Sequence, residues 1–349
     1  MKKILILLIA VLLLAGCGGS EQENKTGKDG YSGEAESASR DFFAMDTYMS
    51  VLAYGPEAEN AVEEAVREVN RLDSLLSAGD EDSEVGSINR NGNGKLSDDG
   101  KMLLKESLSL YEETGGCFDI TVYPLVELWG FVGQKYRLPS DGEIRETLPL
   151  IGADAVKYNE KDGEISFAKE GMKIDFGGIA KGYTSARIIS VFQKNGVESA
   201  LVSLGGNVQA LGSKPDGNPW RIGIRDPKDT SSMIGVLSVT DRAVITSGGY
   251  ERYFEENGKR YHHILDPKTG YPAESGLSSV TIVCRDGTYA DGLSTSLFIM
   301  GKERAAAFWR EHSDRFDAVM VTEDGKICVT EGLRDSFAST LPFEIITGS

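Results

Sequence analysis

Residues 57–76, EAENAVEEAVREVNRLDSLL, place Val62, Val66, Val69, Leu72 and Leu76 on one stripe, the period of an amphipathic helix. Residues 101–114 repeat the pattern through Met102, Leu104, Leu108 and Tyr111. Between them, SAGDEDSEVGSINRNGNG is polar and glycine-rich and predicts a loop. After about residue 160 the pattern changes to short β-type runs: EISFA, MKID, SALVSL, WRIGI, GVLSV, AVITS, YHHIL, SSVTIV, DAVMVT and KICVT. Many are joined by Gly, Asp, Asn and Pro turns, which favour antiparallel neighbours. Helices are expected at about 179–193, 291–300 and 302–312. The predicted class is α+β, mostly antiparallel sheets with flanking helices, and no internal repeat is visible.

The first residues do not belong to this pattern. MKKILILLIAVLLLAGCGGS has two lysines, an apolar run and small residues before Cys17, as a secretory signal does. Residues 1–16 are therefore expected to be removed and Cys17 to be acylated, giving a lipoprotein held to an extracytoplasmic membrane surface. Residues 17–40 contain almost no apolar side chains and read as a flexible tether. Residues 41–349 remain for one large domain or two intimate lobes, with three tryptophans and ample Phe and Tyr for a core.

Beyond Cys17 only Cys117, Cys284 and Cys328 remain, at separations that fit neither a zinc site nor a disulfide framework. Buried free thiols are expected. The net charge of −17 argues against a nucleic-acid partner and means that an anionic ligand needs a locally positive site, such as a metal ion.

Several stretches carry candidate chemistry. YADGLSTSLFIMG sets Asp291, Ser294 and Thr295 at spacings of three and four, on one side of an expected first helical turn. Read by itself, Asp291 is a helix cap. KIDFGGIAKGYTSARII passes from a strand ending at Asp175 through two glycines into a helix with Lys181 in its first turn, an arrangement that can bring backbone N–H groups to a phosphate. It is neither GxxxxGK[ST] nor GxGxxG. VSLGGNVQALG repeats the glycine pair before Asn207. RYHHILDPKTGYP holds two of the three histidines, and strand alternation sends His262 and His263 to opposite faces. GGCFDITVYPLVELWGF places Asp119 and Thr121 before an aromatic segment.

Met45-Asp46-Thr47, FDITVYPLVELWGF, DFGGIAKGY, LVSLGGN, ITSGGYERYF, HHILDPKTGYP and ADGLSTSLFIMG occur in the order found in the ApbE family, which this sequence resembles from about residue 41 to 345. The resemblance implies a T-fold-related architecture and a magnesium-dependent enzyme that transfers the FMN half of FAD to a threonine of another protein. It also implies Asp291, Thr295 and the carbonyl of Gly178 as metal ligands, with Met45 lying against the flavin. Phe118, Asp119, Asp175 and Lys181 would hold the dinucleotide, and His263 would stand near the reacting phosphate. Two departures stand out: Asp46 replaces a glycine common in the first motif, and Gly178 replaces larger residues. Ser294 stands where some members have aspartate.

On this reading His263 is the candidate general base and Asp175 a second one. The expected acceptor is a flavin-carrying subunit of a membrane redox complex, of the Rnf or Nqr type. The alternatives are a metal-dependent FAD pyrophosphatase giving FMN and AMP, and a flavin-binding lipoprotein without chemistry.

Overall fold

The computed structural model describes residues 36–348. The expected signal segment, Cys17 and most of the tether lie outside the described residues. The tether ends sooner than its composition suggests, because strand β1 (Ser37–Ala44) already pairs along its whole length with β2 (Thr47–Tyr54). Ala38, Phe42 and Ala44 turn one face of β1 toward α1 (Ala58–Leu76), an alternation hidden among polar neighbours. Met45 and Asp46 form the two-residue loop between the strands with φ of +47° and +56°. Two consecutive left-handed residues make a type I′ turn, whose twist suits a hairpin.

On α1 the expected stripe is buried, except that Val66 is only half covered. The supposed loop after it contains α2 (Glu84–Asn91) and β3 (Asn93–Lys95). Ser83 Oγ accepts from the Gly86 N–H at 2.8 Å, Val85 and Ile88 bury one turn apart, and Gly92 closes the helix at φ +71°. A helix of two turns shows too few apolar positions for its period to stand out. In α3 (Asp98–Glu113) the buried positions are Leu103, Leu104, Ser107 and Leu110, while Met102 is 50 % exposed, so the stripe faces about one residue away from the expected one.

Two short helices, α4 (Tyr123–Leu128) and α5 (Asp141–Thr147), carry Leu125 and Ile144 into a satellite core with Trp129, Phe131 and Leu265. Strands β4 (Val156–Asn159) and β5 (Glu164–Phe167) complete a small sheet with β3. MKID joins no ladder. The Asn89 amide accepts from the Ile174 N–H and donates to the Ile174 carbonyl, both at 2.8 Å, doing for that residue what a neighbouring strand would.

The chain then runs through α6 (Ala180–Lys194), β6 (Ser199–Leu204), β7 (Asn207–Leu211), β8 (Trp220–Arg225), β9 (Met233–Val239), β10 (Ala243–Gly248), β11 (Tyr253–Glu256), β12 (Lys259–His262) and β13 (Leu277–Cys284). It ends with α7 (Gly287–Met300), α8 (Lys302–Glu311), β14 (Asp317–Thr322), β15 (Ile327–Thr330), β16 (Phe337–Ala338) and β17 (Phe343–Ile346). Nine strands form one sheet in the order β1-β2-β6-β7-β10-β13-β14-β15-β17, antiparallel except for the last pair. Its helix-covered face packs on α1, α6, α7 and α8, and its other face on the sheet β16-β9-β8. Cys117, Cys284 and Cys328 are free and buried, as expected. The predicted α+β class with mainly antiparallel sheets is the observed one.

Candidate active site

The site is built where α6 meets α7. Asp286, not Asp291, caps α7: its Oδ1 accepts from Thr288 N–H at 2.8 Å and Tyr289 N–H at 3.2 Å. The helix thus starts four residues before its expected N-terminus, and Asp291 lies inside it. Asp291 still caps a helix, but a neighbouring one. Its Oδ2 accepts from the Gly182 N–H at 2.7 Å, in the first turn of α6, which has no side-chain cap of its own. The two helices approach this closely because both contact residues are glycines. A Cβ on Gly182 would stand 2.1 Å from the Gly287 carbonyl oxygen and 2.6 Å from Asp291 Cβ. Gly182→Ala therefore forces the helices apart and is expected to destabilise the fold by about 1–3 kcal/mol, read from the urea midpoint.

Asp291 is buried, and desolvation raises its pKa, opposed chiefly by the Lys181 ammonium. The amide of the buried Asn207 also lies against it and favours its ionised form. One turn on, Ser247 Oγ on β10 reaches Ser294 Oγ at 2.7 Å and Thr295 Oγ1 at 3.1 Å. Ser294 also donates to the Asp291 carbonyl at 2.8 Å, so its hydroxyl is committed to the helix and to Ser247. Thr295 Oγ1 has only the Ser247 bond among the described residues.

The glycine turn before α6 supplies the opposite wall. Asp175 Oδ1 accepts from the Gly177 N–H at 2.8 Å, and its pKa is raised by desolvation against the pull of Arg252 and Lys181. Gly178 lies over the buried Phe118 ring: a Cβ there would meet Phe118 Cε2 at 3.2 Å. Space, rather than an unusual φ, explains that glycine. Phe118 is a floor beneath the turn. Asp119 is also internal, accepting from Thr121 N–H (2.8 Å), Thr121 Oγ1 (2.6 Å) and Ala153 N–H (3.3 Å). Met45 packs between two parts of the core, its sulfur 3.8 Å from Thr184 Oγ1, while Asp46 beside it faces outward into a cleft.

That cleft, of about 420 Å³, is lined by Phe131, Tyr136, Glu251, Arg252, Tyr253 and Asp46 among others. It is tied electrostatically to the buried group. Arg252 acts on Asp175 and His263, and Glu251 feels Lys181 and Asp291. Desolvation by the cleft walls raises the Glu251 carboxyl, although the side chain remains open to water. Glu251 and Arg252 are the residues that sequence reasoning passed over inside ITSGGYERYF. A charged pair directly after two glycines and a tyrosine was the available signal.

The two histidines diverge, as alternation suggests, although β12 ends at His262. His262 Nε2 lies 3.2 Å from the Ala273 carbonyl, and its ring stands edge-on to Phe298 in the core. His263 Nδ1 lies 3.1 Å from the Arg252 carbonyl. A carbonyl only accepts, so Nδ1 carries the proton and Nε2 keeps its lone pair. Desolvation first, and then the Arg252 and Lys181 charges, push the His263 pKa well down, which keeps the ring neutral. No three His, Cys, Asp or Glu side chains gather into a metal-binding group among the described residues. A cation here would therefore depend on one carboxylate with hydroxyl and carbonyl oxygens.

Comparison with known proteins covers most of the same span. The model of the ApbE family matches residues 45–320. A Treponema pallidum protein called FAD:protein FMN transferase is 33 % identical, with 94 % of each chain covered. A Klebsiella pneumoniae protein of the same name is 38 % identical over 63 % of this chain and 68 % of its own. Among solved structures, the ApbE protein of Thermotoga maritima superposes with a TM-score of 0.81 at 36 % identity, covering 86 % of this chain and 98 % of its own. The flavin transferase ApbE of Vibrio cholerae gives a TM-score of 0.78 at 29 % identity, covering 87 % and 100 %. With most of its length matched by the family model and by the Treponema pallidum relative, the chain belongs to the ApbE family.

Proposed function

We propose that the chain transfers the FMN moiety of FAD to the hydroxyl of a threonine or serine on an acceptor flavoprotein, releasing AMP. The observation that carries this reading is the shared field of Lys181 on Asp291, and of Arg252 and Lys181 on a neutral His263, beside a cleft that Arg252 lines, within an ApbE fold. The acceptor oxygen forms a bond to the phosphorus on the riboflavin side of the pyrophosphate. The bond from that phosphorus to the bridging oxygen breaks, and the electron pair leaves with AMP. The hydroxyl proton goes to Nε2 of His263, the ring atom left free by the Arg252 contact.

The donor set fits a hard divalent cation. Asp291 is a carboxylate buried at a cost, Thr295 has a hydroxyl with one partner, and the Gly178 carbonyl belongs to the turn before α6. Bound there, Mg²⁺ would neutralise the pyrophosphate and stabilise the departing AMP. Lys181 and Arg252 attract the same phosphates and orient them. Asp175, pinned by Gly177, shapes the turn that the phosphates approach.

The test incubates the protein with FAD, Mg²⁺ and the flavin-carrying domain of an Nqr-type redox subunit, then measures acceptor mass and released AMP. FMN and AMP without any gain in acceptor mass would favour the pyrophosphatase. Neither product would favour a binding protein.

Lipid on Cys17 would hold the enzyme at an extracytoplasmic membrane surface, where subunits of the Rnf or Nqr type present their domains. Cys17→Ser is expected to leave transfer unchanged and release the protein from the membrane fraction, because the described domain begins far beyond that residue. Retention in the membrane fraction would require another anchor.

A further inference from the structure

The outer edge of β1 carries hydrogen-bonding groups that no described strand uses. β1 ends the order of the nine-stranded sheet, and its register with β2 identifies those groups. A two-residue loop makes Ala44 and Thr47 the pair that exchanges both hydrogen bonds, so alternation turns Phe42 and Arg40 toward β2. The N–H and C=O groups of Ser39, Asp41 and Phe43 then face outward. The bond from Gly205 N–H to the Tyr48 carbonyl, on the far side of β2, has the phase this alternation requires. Proteins usually blunt such an edge with proline, a bulge, a cover or charged side chains. β1 has eight residues in unbroken register and no proline, and of its charged residues, Arg40 and Asp41, the first is paired with Glu59.

Two further features distinguish the edge. A groove of about 230 Å³ runs between β1 and α1, with Phe42 and Val66 among its lining residues. At the other end of the strand, Phe43 and Tyr48 stand directly opposite each other and are 70 % and 53 % exposed. These rings flank the Met45–Asp46 turn, and Asp46 lines the cleft together with Glu251 and Arg252. The strand therefore leads from open solvent, past two exposed rings, to the turn that borders the cleft lined by Arg252 and Glu251.

We propose that the outer edge of β1 is the docking strand for the acceptor protein. An extended segment of the acceptor, next to its reacting hydroxyl and apolar at alternate positions, adds to β1 as a further strand. Phe43 and Tyr48 seat its side chains, and the hydroxyl passes over the Met45–Asp46 turn into the cleft. This inference rests on the transferase reading. The acceptor is favoured over a second copy of the chain because the edge is continuous with the cleft, and only a protein substrate must enter the cleft from its own backbone. The main chain of this protein enters β1 at Ser37, the end away from the cleft.

Asp41→Pro removes an outward N–H while sparing the ladder to β2, and Phe43→Ala removes a ring without touching the backbone. Each is expected to raise the KM for the Nqr-type domain about tenfold, the cost of roughly one lost hydrogen bond or ring contact, with FAD affinity unchanged. Hydrogen exchange on the unaltered full-length protein gives a second reading. The amides of Asp41 and Phe43 should exchange freely alone and become protected when the domain is added. Protection in the free protein would mean that its own N-terminal residues or a second copy already cover the edge. That result, or an unchanged acceptor KM in both variants, would overturn the inference while leaving the transferase reading intact. Failure of the unaltered protein to modify the domain at all would instead overturn that reading, and this inference with it.

Discussion

Asp291→Asn is expected to lower FMN transfer by roughly 10²–10³ and to abolish the dependence of thermal stability on Mg²⁺, because the amide keeps the shape but not the charge a divalent cation needs. Folding should survive. The Asn carbonyl oxygen still accepts from the Gly182 N–H, so the first turn of α6 keeps its partner. Stability separates this expectation from a purely structural cap. Burial raises the Asp291 pKa in the fold, so the folded state favours the protonated acid. Its ionisation costs stability as pH rises from the unfolded carboxylate value through the raised folded one, and that cost is fully present only above the folded value. Asparagine has no such cost. The metal-free variant should therefore melt no lower than the metal-free parent at pH 7, while Mg²⁺ raises the melting temperature of the parent alone. If Asp291 served only the dipole of α6, the variant would lose about 0.3–1 kcal/mol and melt lower, with the Mg²⁺ response unaltered.

The same residue shows how far the sequence could be read. A carboxylate and two hydroxyls at spacings of three and four announced a polar helical face, and a cap was the correct chemistry for Asp291. Which helix it caps depends on a contact between residues 109 positions apart, made possible by Gly182 and Gly287. No local pattern contains that information. Long elements with many apolar positions, such as α1 and β13, were legible because burial repeats along them. α2 was not, since Ser83 and Gly92 punctuate a helix with few buried residues. MKID reads as a strand, yet the amide of Asn89 takes the place of its neighbour.

The residues that the family resemblance assigns to the dinucleotide divide in the same way. Lys181, Asp175 and His263 share a field that is apparent only once Arg252 is placed among them. Phe118 and Asp119 are internal: one is the floor of a glycine turn and the other the tie between two loops. A motif shared with a family marks positions that matter without saying whether they touch the ligand or hold what does.

His263→Ala should slow single-turnover FMN transfer by roughly 10²–10⁴ at saturating FAD and Mg²⁺, the span expected when a general base is lost. FAD affinity should stay within a few-fold, because the ring is neutral and contributes little to holding the phosphates. The pH dependence gives the assignment a second test. In the free enzyme, desolvation and the nearby Arg252 and Lys181 cations depress the His263 pKa, so Nε2 remains unprotonated well below pH 6.5. The acid limb of kcat/KM reports the free enzyme and should therefore fall below the ordinary histidine value. Anionic FAD opposes those cations and raises the imidazole pKa in the complex, so the acid limb of kcat should lie at higher pH than that of kcat/KM. His262→Ala provides the contrast: its ring packs on Phe298 in the core, so its loss should reduce stability and leave both limbs where they were. A His263→Ala enzyme that transfers FMN at the parent rate would remove the imidazole from the proton transfer and shift that role to Asp175, which also faces Lys181 and Arg252.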